Sequence, residues 1–239
     1  MQQCFVQVLI SLLALGLLCP TLIHGFSVKI NQGPKIPMST SSKNRFLQTL
    51  DNPKAFNIAN KERTELVAEM IQDNPVPAPG STSSFAPLAV GKWRIVYAPH
   101  ISVMGQIFRG SFDPVYYIMK QNQEMTSHAK YTFPIIGSGW LSVSGTYGSQ
   151  DEDRVCRVDF NRAWVKVITD EENNGEPYDS LDDVPPSPWK NGIQALGKFF
   201  FVDAVSVFPV SYLDEDTIVF DFELLGTRIC ARKIGTVAE

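Results

Sequence analysis

Few side chains of the kinds used in catalysis occur in this sequence, and their spacing does not assemble a reactive site. His100 and His128 are the only histidines beyond residue 25, and neither has a second ligand at metal-binding spacing. Cys156 would act as a nucleophile only if a base lowered its pKa, and the neighbouring sequence offers none. The Asp214–Asp216 turn carries three acids, which in such turns usually face solvent or cap backbone amides. These residues predict a protein without a catalytic centre, a metal site or another cofactor.

Motifs for other common chemistries are missing as well. No G-x-S-x-G elbow, no glycine-rich phosphate loop before a helix and no C-x-x-C pair occurs among the 239 residues. The formal net charge of −4 argues against nucleic-acid binding, which requires a basic surface. Non-enzymatic binding is therefore the favoured class of function.

Charge divides the chain into three regions. Residues 1–25 carry no Asp, Glu, Lys or Arg, residues 26–60 have a net charge of +4, and residues 61–239 have a net charge of −8. The first region contains the apolar block Leu9–Leu18, followed by Pro20. A membrane-spanning helix needs about 20 apolar residues, so this shorter block predicts a cleaved signal peptide over 1–25. A short N-terminal anchor is the alternative.

The second region has the composition of an organelle transit peptide. It begins at Phe26, is rich in Ser and Thr over 39–42, and has five bases against the single acid Asp51. A signal peptide joined to such a segment at a Phe resembles the two-part presequence of algae whose plastid lies inside additional membranes. We therefore expect residues 26–60 to direct import into the plastid, with a secreted protein that has a basic arm as the alternative.

The third region begins with one predicted helix, after which apolar and polar residues alternate with a period of two, as in β-strands. Leu66, Val67, Met70 and Ile71 form one apolar stripe, which predicts a helix over 61–71. Eight or nine short strands then predict a β-sandwich or barrel; the candidates are 92–98, 114–120, 124–133, 139–147, 153–168, 198–208, 210–213, 216–223 and 226–233. An acidic, proline-rich stretch over 169–190 interrupts them, and we expect a solvated surface loop there, with a partner-docking loop as the alternative.

Alternation along the strands predicts which side chains share a face. Trp93 and Tyr97 are expected on one face of the first strand, with Ile95 between them. Phe220 and Phe222 are expected on one face of a later strand, opposite Val219. The run 199–202 is apolar on both faces and must be covered on its outer side.

Three segments together resemble the plastid lipid-associated proteins, also called plastid fibrillins. Asn74–Pro79 follows the predicted helix and is similar to the N-P-x-P-A-P segment of that family. Gly91–Tyr97 reads G-x-W-x-I-x-Y and is similar to the family's G-x-W-x-L-x-Y, and its opening G-x-W is also typical of the first strand of lipocalin-like barrels. Tyr212–Asp216 reads Y-L-D-E-D. The resemblance covers about residues 61–235. It departs at Thr217, where the family usually has Arg, and in the length of the 169–190 stretch.

The resemblance implies a lipocalin-like antiparallel barrel at thylakoid membranes or plastid lipid droplets (plastoglobules). Such a protein binds or sequesters apolar molecules such as carotenoids, quinones or glycerolipids. In lipocalin-like barrels the first-strand Trp closes the base under an Arg from the last strand, which makes Arg228 and Arg232 the candidates to stack on Trp93. Candidate lining residues are the large aromatics Trp93, Tyr97, Tyr117, Trp140, Trp164 and Phe222, although a role in an ordinary core explains each of them more simply.

Two alternatives to this function stay open, and the cysteines help to separate them. One is a secreted lipocalin-like carrier, and the lesser one is a lipocalin-type enzyme acting on a plastid lipid. In a reducing plastid, Cys156 and Cys230 should be free thiols. In a secreted protein they would be the only pair able to form an intramolecular disulfide after removal of the signal peptide.

Overall fold

The computed structural model describes residues 41–50, 61–107, 109–134, 137–150, 155–168, 175–186, 207–223 and 226–237. The predicted signal peptide, most of the predicted transit segment and the apolar run 199–202 lie outside these residues. None of the helices in these ranges is long and apolar enough to cross a bilayer.

Eight antiparallel strands close into a barrel, in which each strand pairs with the next and β8 pairs with β1. This arrangement confirms the predicted barrel. The strands are β1 Gly91–Tyr97, β2 Ser111–Met119, β3 Glu124–Phe133, β4 Gly137–Gln150, β5 Val155–Ile168, β6 Val207–Leu213, β7 Thr217–Phe222 and β8 Thr227–Gly235. The candidates 198–208 and 210–213 meet in β6, and most of the former lies outside the described residues. Among the described residues, β5 and β6 pair over Val155–Arg157.

Four α-helices of the described part of the chain accompany the barrel: α1 Ser42–Gln48, α2 Lys61–Gln72, α3 Thr82–Ala89 and α4 Pro99–Ile107. The predicted helix over 61–71 corresponds to α2. The other three are short, and their serines and prolines read as loop residues in the sequence. Those same residues begin the helices, because Ser41 and Ser81 accept backbone N–H groups as N-caps and Pro99 occupies a first helical position.

The barrel wall separates two apolar clusters. The inner cluster fills the barrel and includes Trp93, Ile95, Phe220 and Ile229. The outer cluster lies between α1, α2 and the wall, where the buried helix side chains Phe46, Leu66, Val67 and Met70 contact Tyr97, Tyr212, Val219 and Cys230. Each fully buried aliphatic or aromatic side chain contributes about 1.5–3 kcal/mol, so α1 and α2 form an integral part of the domain.

Polar contacts also fasten α1, which lies within the predicted transit segment, to the barrel. Lys43 Nζ lies 2.6 Å from Asp214 Oδ2 and also binds Asp216, and Arg45 pairs with Glu69 at 3.0 Å. The folded domain therefore includes α1, which is about two helical turns long and lies within the predicted transit segment.

Candidate ligand-binding site

The base of the barrel is closed by the first-strand tryptophan and a lysine. Trp93 is 1% exposed and donates its indole N–H to Ala89 O at 2.7 Å, at the end of α3. Lys233 Nζ lies 4.8 Å from the centre of the Trp93 ring and donates to Leu88 O at 2.8 Å. Burial lowers the pKa of Lys233. A cation–π contact of this kind contributes about 0.5–2 kcal/mol.

The glycine of the G-x-W pattern makes room for this lysine. Gly91 has φ = +148°, and a Cβ at this position would lie 3.0 Å from Lys233 Cε and 3.1 Å from Gly235 O. A side chain at position 91 would therefore strain the backbone and displace the Lys233 side chain from the Trp93 ring.

The prediction that Arg228 or Arg232 stacks on Trp93 is wrong. Ile229 and Ala231 belong to the inner cluster, so alternation along β8 directs Lys233 inward and the two arginines outward. Arg228 pairs with Asp221 at 3.1 Å, and Arg232 is exposed. A cation from the last strand does lie over Trp93, as expected, but this cation is Lys233 and not an arginine.

The prediction that Tyr97 faces the barrel interior is also wrong. The β1–β8 register shifts between Ile95 and Tyr97, since Ile95 pairs with Ala231 and Tyr97 with Cys230. Such a bulge adds one residue and re-aims the side chain that follows it. Tyr97 therefore joins the outer cluster, where its hydroxyl lies 3.2 Å from Thr64 Oγ1 and its ring meets Phe46 edge-on.

Trp140 and Trp164 likewise lie outside the barrel, in contrast to the prediction that they line it. On β4 the inward residues are odd-numbered, as the inner-cluster Tyr147 shows, and Trp164 pairs with the outward Ser142. Both indoles are nevertheless buried, at 4% and 2% exposure. The acidic stretch covers them, because Trp140 Nε1 donates to Gly175 O at 2.7 Å and Trp164 Nε1 to Tyr178 O at 3.0 Å. Residues 175–186 therefore lie over these two indoles, while most of their own side chains stay partly or fully exposed, as in a surface loop.

Tyr117 and Phe222 lie inside the barrel, as predicted. Tyr117 lines an apolar cavity of about 30 Å³; the other lining residues are Met119, Met125, Val158, Phe160, Phe208, Phe220 and Ile229. Tyr117 is half-buried, and burial raises the pKa of its hydroxyl to about 12. Phe222 lies nearer the opposite end of the barrel, where α4 begins, and its ring centre is 5.1 Å from that of His100.

Apart from Lys233 at the base, His100 and Cys156 are titratable groups of the interior, and both stay uncharged near neutral pH. Burial lowers the pKa of His100 to about 4, and its Nδ1 lies 3.0 Å from Thr227 Oγ1. Burial also raises the pKa of the Cys156 thiol to about 12. An interior whose charge is confined to Lys233 at its base is suited to an apolar ligand.

The two cysteines are free, as predicted, and lie on opposite faces of the barrel wall. Cys156 belongs to the inner cluster and Cys230 to the outer one. Burial is the main cause of a raised pKa at Cys230 as well. Both thiols are therefore protonated and unreactive.

A second space lies outside the base of the barrel. A cleft of about 480 Å³ runs between α3 and the turn after β2; its lining residues are Phe85, Ala86, Pro87, Val90, Gln121, Gln123, Tyr147 and Gly148. Its volume falls in the range of about 300–1,000 Å³ that is usual for small-molecule sites, whereas the inner cavity is far smaller.

Several residues of this site were not singled out in the sequence. Lys233 could have been found from alternation along β8, but the methionines Met119 and Met125 carry no pattern that separates a cavity wall from a packed core.

Among the described residues, no group of three or more His, Cys, Asp or Glu side chains could hold a metal ion. No known protein-family model matches the chain, and no characterised protein matches it either.

Proposed function

We propose that this chain is a non-enzymatic plastid lipid-associated protein that binds an apolar molecule inside its barrel. The observation that carries the proposal is the uncharged cavity beside Tyr117, enclosed by methionine, aromatic and aliphatic side chains. Candidate ligands are carotenoids, quinones and the acyl chains of glycerolipids, all of which present long apolar surfaces.

The size of the cavity determines how such a ligand would enter. About 30 Å³ holds little more than one or two water molecules, so a ligand must displace side chains from the interior. Met119 and Met125 are suited to this movement, because an unbranched thioether side chain changes rotamer at low cost. The cavity is then the starting point of a larger site that forms as the ligand binds.

The Tyr117 hydroxyl gives the site a polar group with which to orient its ligand. Tyr117 is half-buried and lines the cavity, so a ligand that displaces water from its hydroxyl must offer a hydrogen-bond acceptor in return. A quinone or ester carbonyl would accept this hydroxyl's proton in a hydrogen bond, whereas a hydrocarbon carotene would not. The geometry therefore favours a ligand with a carbonyl group.

Tyr117→Phe tests this assignment, with Tyr116→Phe as the matched control. The two tyrosines are adjacent on β2, and Tyr116 lies outside the barrel, stacked on Trp140. Loss of one hydrogen bond should weaken quinone binding by about three- to tenfold in the Tyr117 variant and leave carotene binding unchanged. Equal quinone affinities for both variants would place the ligand elsewhere, with the basal cleft as the next candidate.

Localisation in the plastid rests on the presequence and on the resemblance in residues 61–235. Mass spectrometry of the protein purified from its source, covering both its N-terminus and its co-purifying lipids, tests location and binding together. We expect cleavage before Ser41, because α1 is part of the folded domain. A mature N-terminus at Phe26 would favour the secreted carrier, and turnover of a bound lipid would favour the enzyme.

A further inference from the structure

The outer face of β1–β5 combines aromatic rings with lysines. Lys92 Nζ lies 4.9 Å from the centre of the Tyr116 ring, and the Tyr116 and Trp140 rings stack with centres 6.2 Å apart. Lys130 Nζ lies 6.0 Å from the Trp140 ring. We call this surface the basic–aromatic face; its members are Lys92, Tyr116, Lys130, Trp140, Trp164 and Lys166.

The segment that covers this face, residues 175–186, has the opposite charge. It contains four acids and no base, and we call it the acidic strap. Its acids are Glu176, Asp179, Asp182 and Asp183. Of the ion pairs described in the structure, one joins the strap to the barrel, between Arg162 and Asp182 at 3.8 Å, and both of its side chains are more than half exposed. Exposed pairs of this kind contribute about 0–1 kcal/mol.

Most of the closer contacts between the face and the strap do not depend on the strap's side chains. The exceptions are Tyr178, whose ring centre lies 5.0 Å from Lys166 Nζ, and Leu181, which is buried. The two indole N–H groups and the Lys166 ammonium all donate to backbone carbonyls of the strap, the last at 3.0 Å to Glu176 O. Any surface that offers oxygen acceptors could replace these carbonyls. The strap is therefore held mainly by general chemistry, together with complementary charge.

From this geometry we infer that the basic–aromatic face docks on an anionic lipid surface and that the acidic strap occupies the face in its absence. Trp and Tyr favour the boundary between water and acyl chains, and lysines beside them are attracted to anionic headgroups by about 1 kcal/mol each. The strap, with four negative charges, presents to the face the same kind of charge that such a headgroup layer would present. Displacement of the strap exposes Trp140 and Trp164 to the bilayer.

This inference extends the proposed function by giving a lipid-associated protein a membrane-binding face and a device that regulates it. Its test is independent of the barrel interior. Quinone binding in the absence of vesicles tests the interior alone, so either proposal can fail while the other stands.

Co-sedimentation of the full chain with vesicles tests the inference. The vesicles contain phosphatidylcholine alone or with phosphatidylglycerol, and binding to the neutral vesicles corrects for the apolar N-terminal block. Neutralising the strap with Glu176→Gln, Asp179→Asn and Asp182→Asn keeps Asp183, which caps the short helix Leu181–Asp183. We expect this variant to bind anionic vesicles about tenfold more tightly than the wild type, since less charge competes for the face.

Two controls separate the strap from net charge alone. Glu62→Gln, Glu65→Gln and Glu215→Gln remove the same charge from exposed positions away from the face, and binding should rise less than twofold. Lys130→Gln with Lys166→Gln should weaken binding of the strap variant about tenfold, whereas Lys120→Gln, in the turn after β2, should not.

Brominated phosphatidylglycerol gives a direct reading of contact, because bromine quenches indoles within the bilayer. Quenching should occur in the strap variant and be lost when Trp140 and Trp164 are both replaced by Phe. Equal binding by the strap variant and its charge-matched control, or quenching that persists without these two indoles, would overturn the inference. Either result would leave a protein partner as the occupant of the face.

Discussion

The two covered sides of the barrel differ in how their covers are held. On the helix side, α1 and α2 bury Phe46, Val67 and Met70, each 0% exposed, against the wall. On the strap side, the cover is fastened mainly by hydrogen bonds from indoles and a lysine to its backbone, with one exposed ion pair, one lysine–tyrosine contact and a single buried aliphatic side chain, Leu181. The free energy gained by apolar burial grows with the buried area, and contact with water cannot replace it. A hydrogen bond contributes only about 0.5–1.5 kcal/mol net, because water can take the place of either partner. The helix side is therefore a permanent part of the domain, and the strap side is separable.

The largest expected effect comes from the helix side. Phe46→Ala should destabilise the domain by about 3–5 kcal/mol, because the ring is fully buried between α1, α2 and Tyr97. Urea unfolding measures this change. Were the loss below about 1 kcal/mol, α1 would not be docked, and it could belong to a removable presequence after all.

Tyr97→Ala sharpens the same comparison from within the wall. Its side chain belongs to the outer cluster, so truncation should cost about 3 kcal/mol of stability and leave ligand affinity within twofold. Thermal melts and a quinone titration on the same preparation check both parts. A fall in affinity with little loss of stability would return Tyr97 to the barrel interior.

Acid should loosen the strap side before the helix side. Burial lowers the pKa of His128, which lies beneath the strap, from 6.5 to about 4; Asp179 opposes this effect and Lys92 adds to it. Because the unfolded or uncovered state binds the proton more readily, stability is full above pH 6.5 and falls by about 2–3 kcal/mol as the pH drops to 4.

On the helix side, the Asp216 carboxylate behaves differently. Burial alone would raise its pKa, but hydrogen bonds from Lys43 and Thr217 outweigh burial and lower it to about 2. Its contribution is complete above pH 3.8 and is lost only as the pH falls through 2. Limited proteolysis at pH 7 and 4.5 should therefore show increased cleavage in 175–186 but not in 42–48, and His128→Gln should reduce the difference. Equal cleavage of both segments would remove the distinction between the sides.

The smallest expected effect is that of a single strap hydrogen bond. Trp164→Phe keeps a buried aromatic ring but removes the donor to Tyr178 O, which should cost about 0.5–1.5 kcal/mol. Hydrogen exchange of residues 175–186 should speed up accordingly, with exchange in α2 unchanged. A larger, global loss of stability would mean that the strap is as integral to the domain as the helices are.

Alternation predicted the barrel and part of its interior, and it failed where the backbone or a distant segment intervened. Trp93 faces inward together with Ile95, and Phe222 together with Phe220, as alternation along these strands predicts. Tyr97 does not, because the bulge after Ile95 adds one residue that no local pattern reveals. Trp140 and Trp164 are buried on the outside because a segment from later in the chain covers them, and periodicity within one strand cannot show a cover.

The cation at the barrel base shows a different limit. The Trp–cation contact was expected from the G-x-W pattern, but arginine was assumed from the resemblance. Ile229 and Ala231 point into the barrel, and Lys233 is the next residue on the same face of β8, so Lys233 is the cation that lies over Trp93. Alternation of side chains along β8 thus identified the stacking residue better than the family resemblance did.

The central claim, that the barrel interior binds an apolar ligand, is tested most directly by enlarging the cavity. Met119→Ala removes a side chain that a ligand would otherwise have to displace, and Ile118→Ala removes a similar volume from the outer face of the same strand. Fluorescence titration with a quinone should show binding about tenfold tighter for Met119→Ala and within twofold of wild type for Ile118→Ala, with melts confirming that both variants are folded. Equal affinities for the two variants, or no binding by any of the three proteins, would contradict the account.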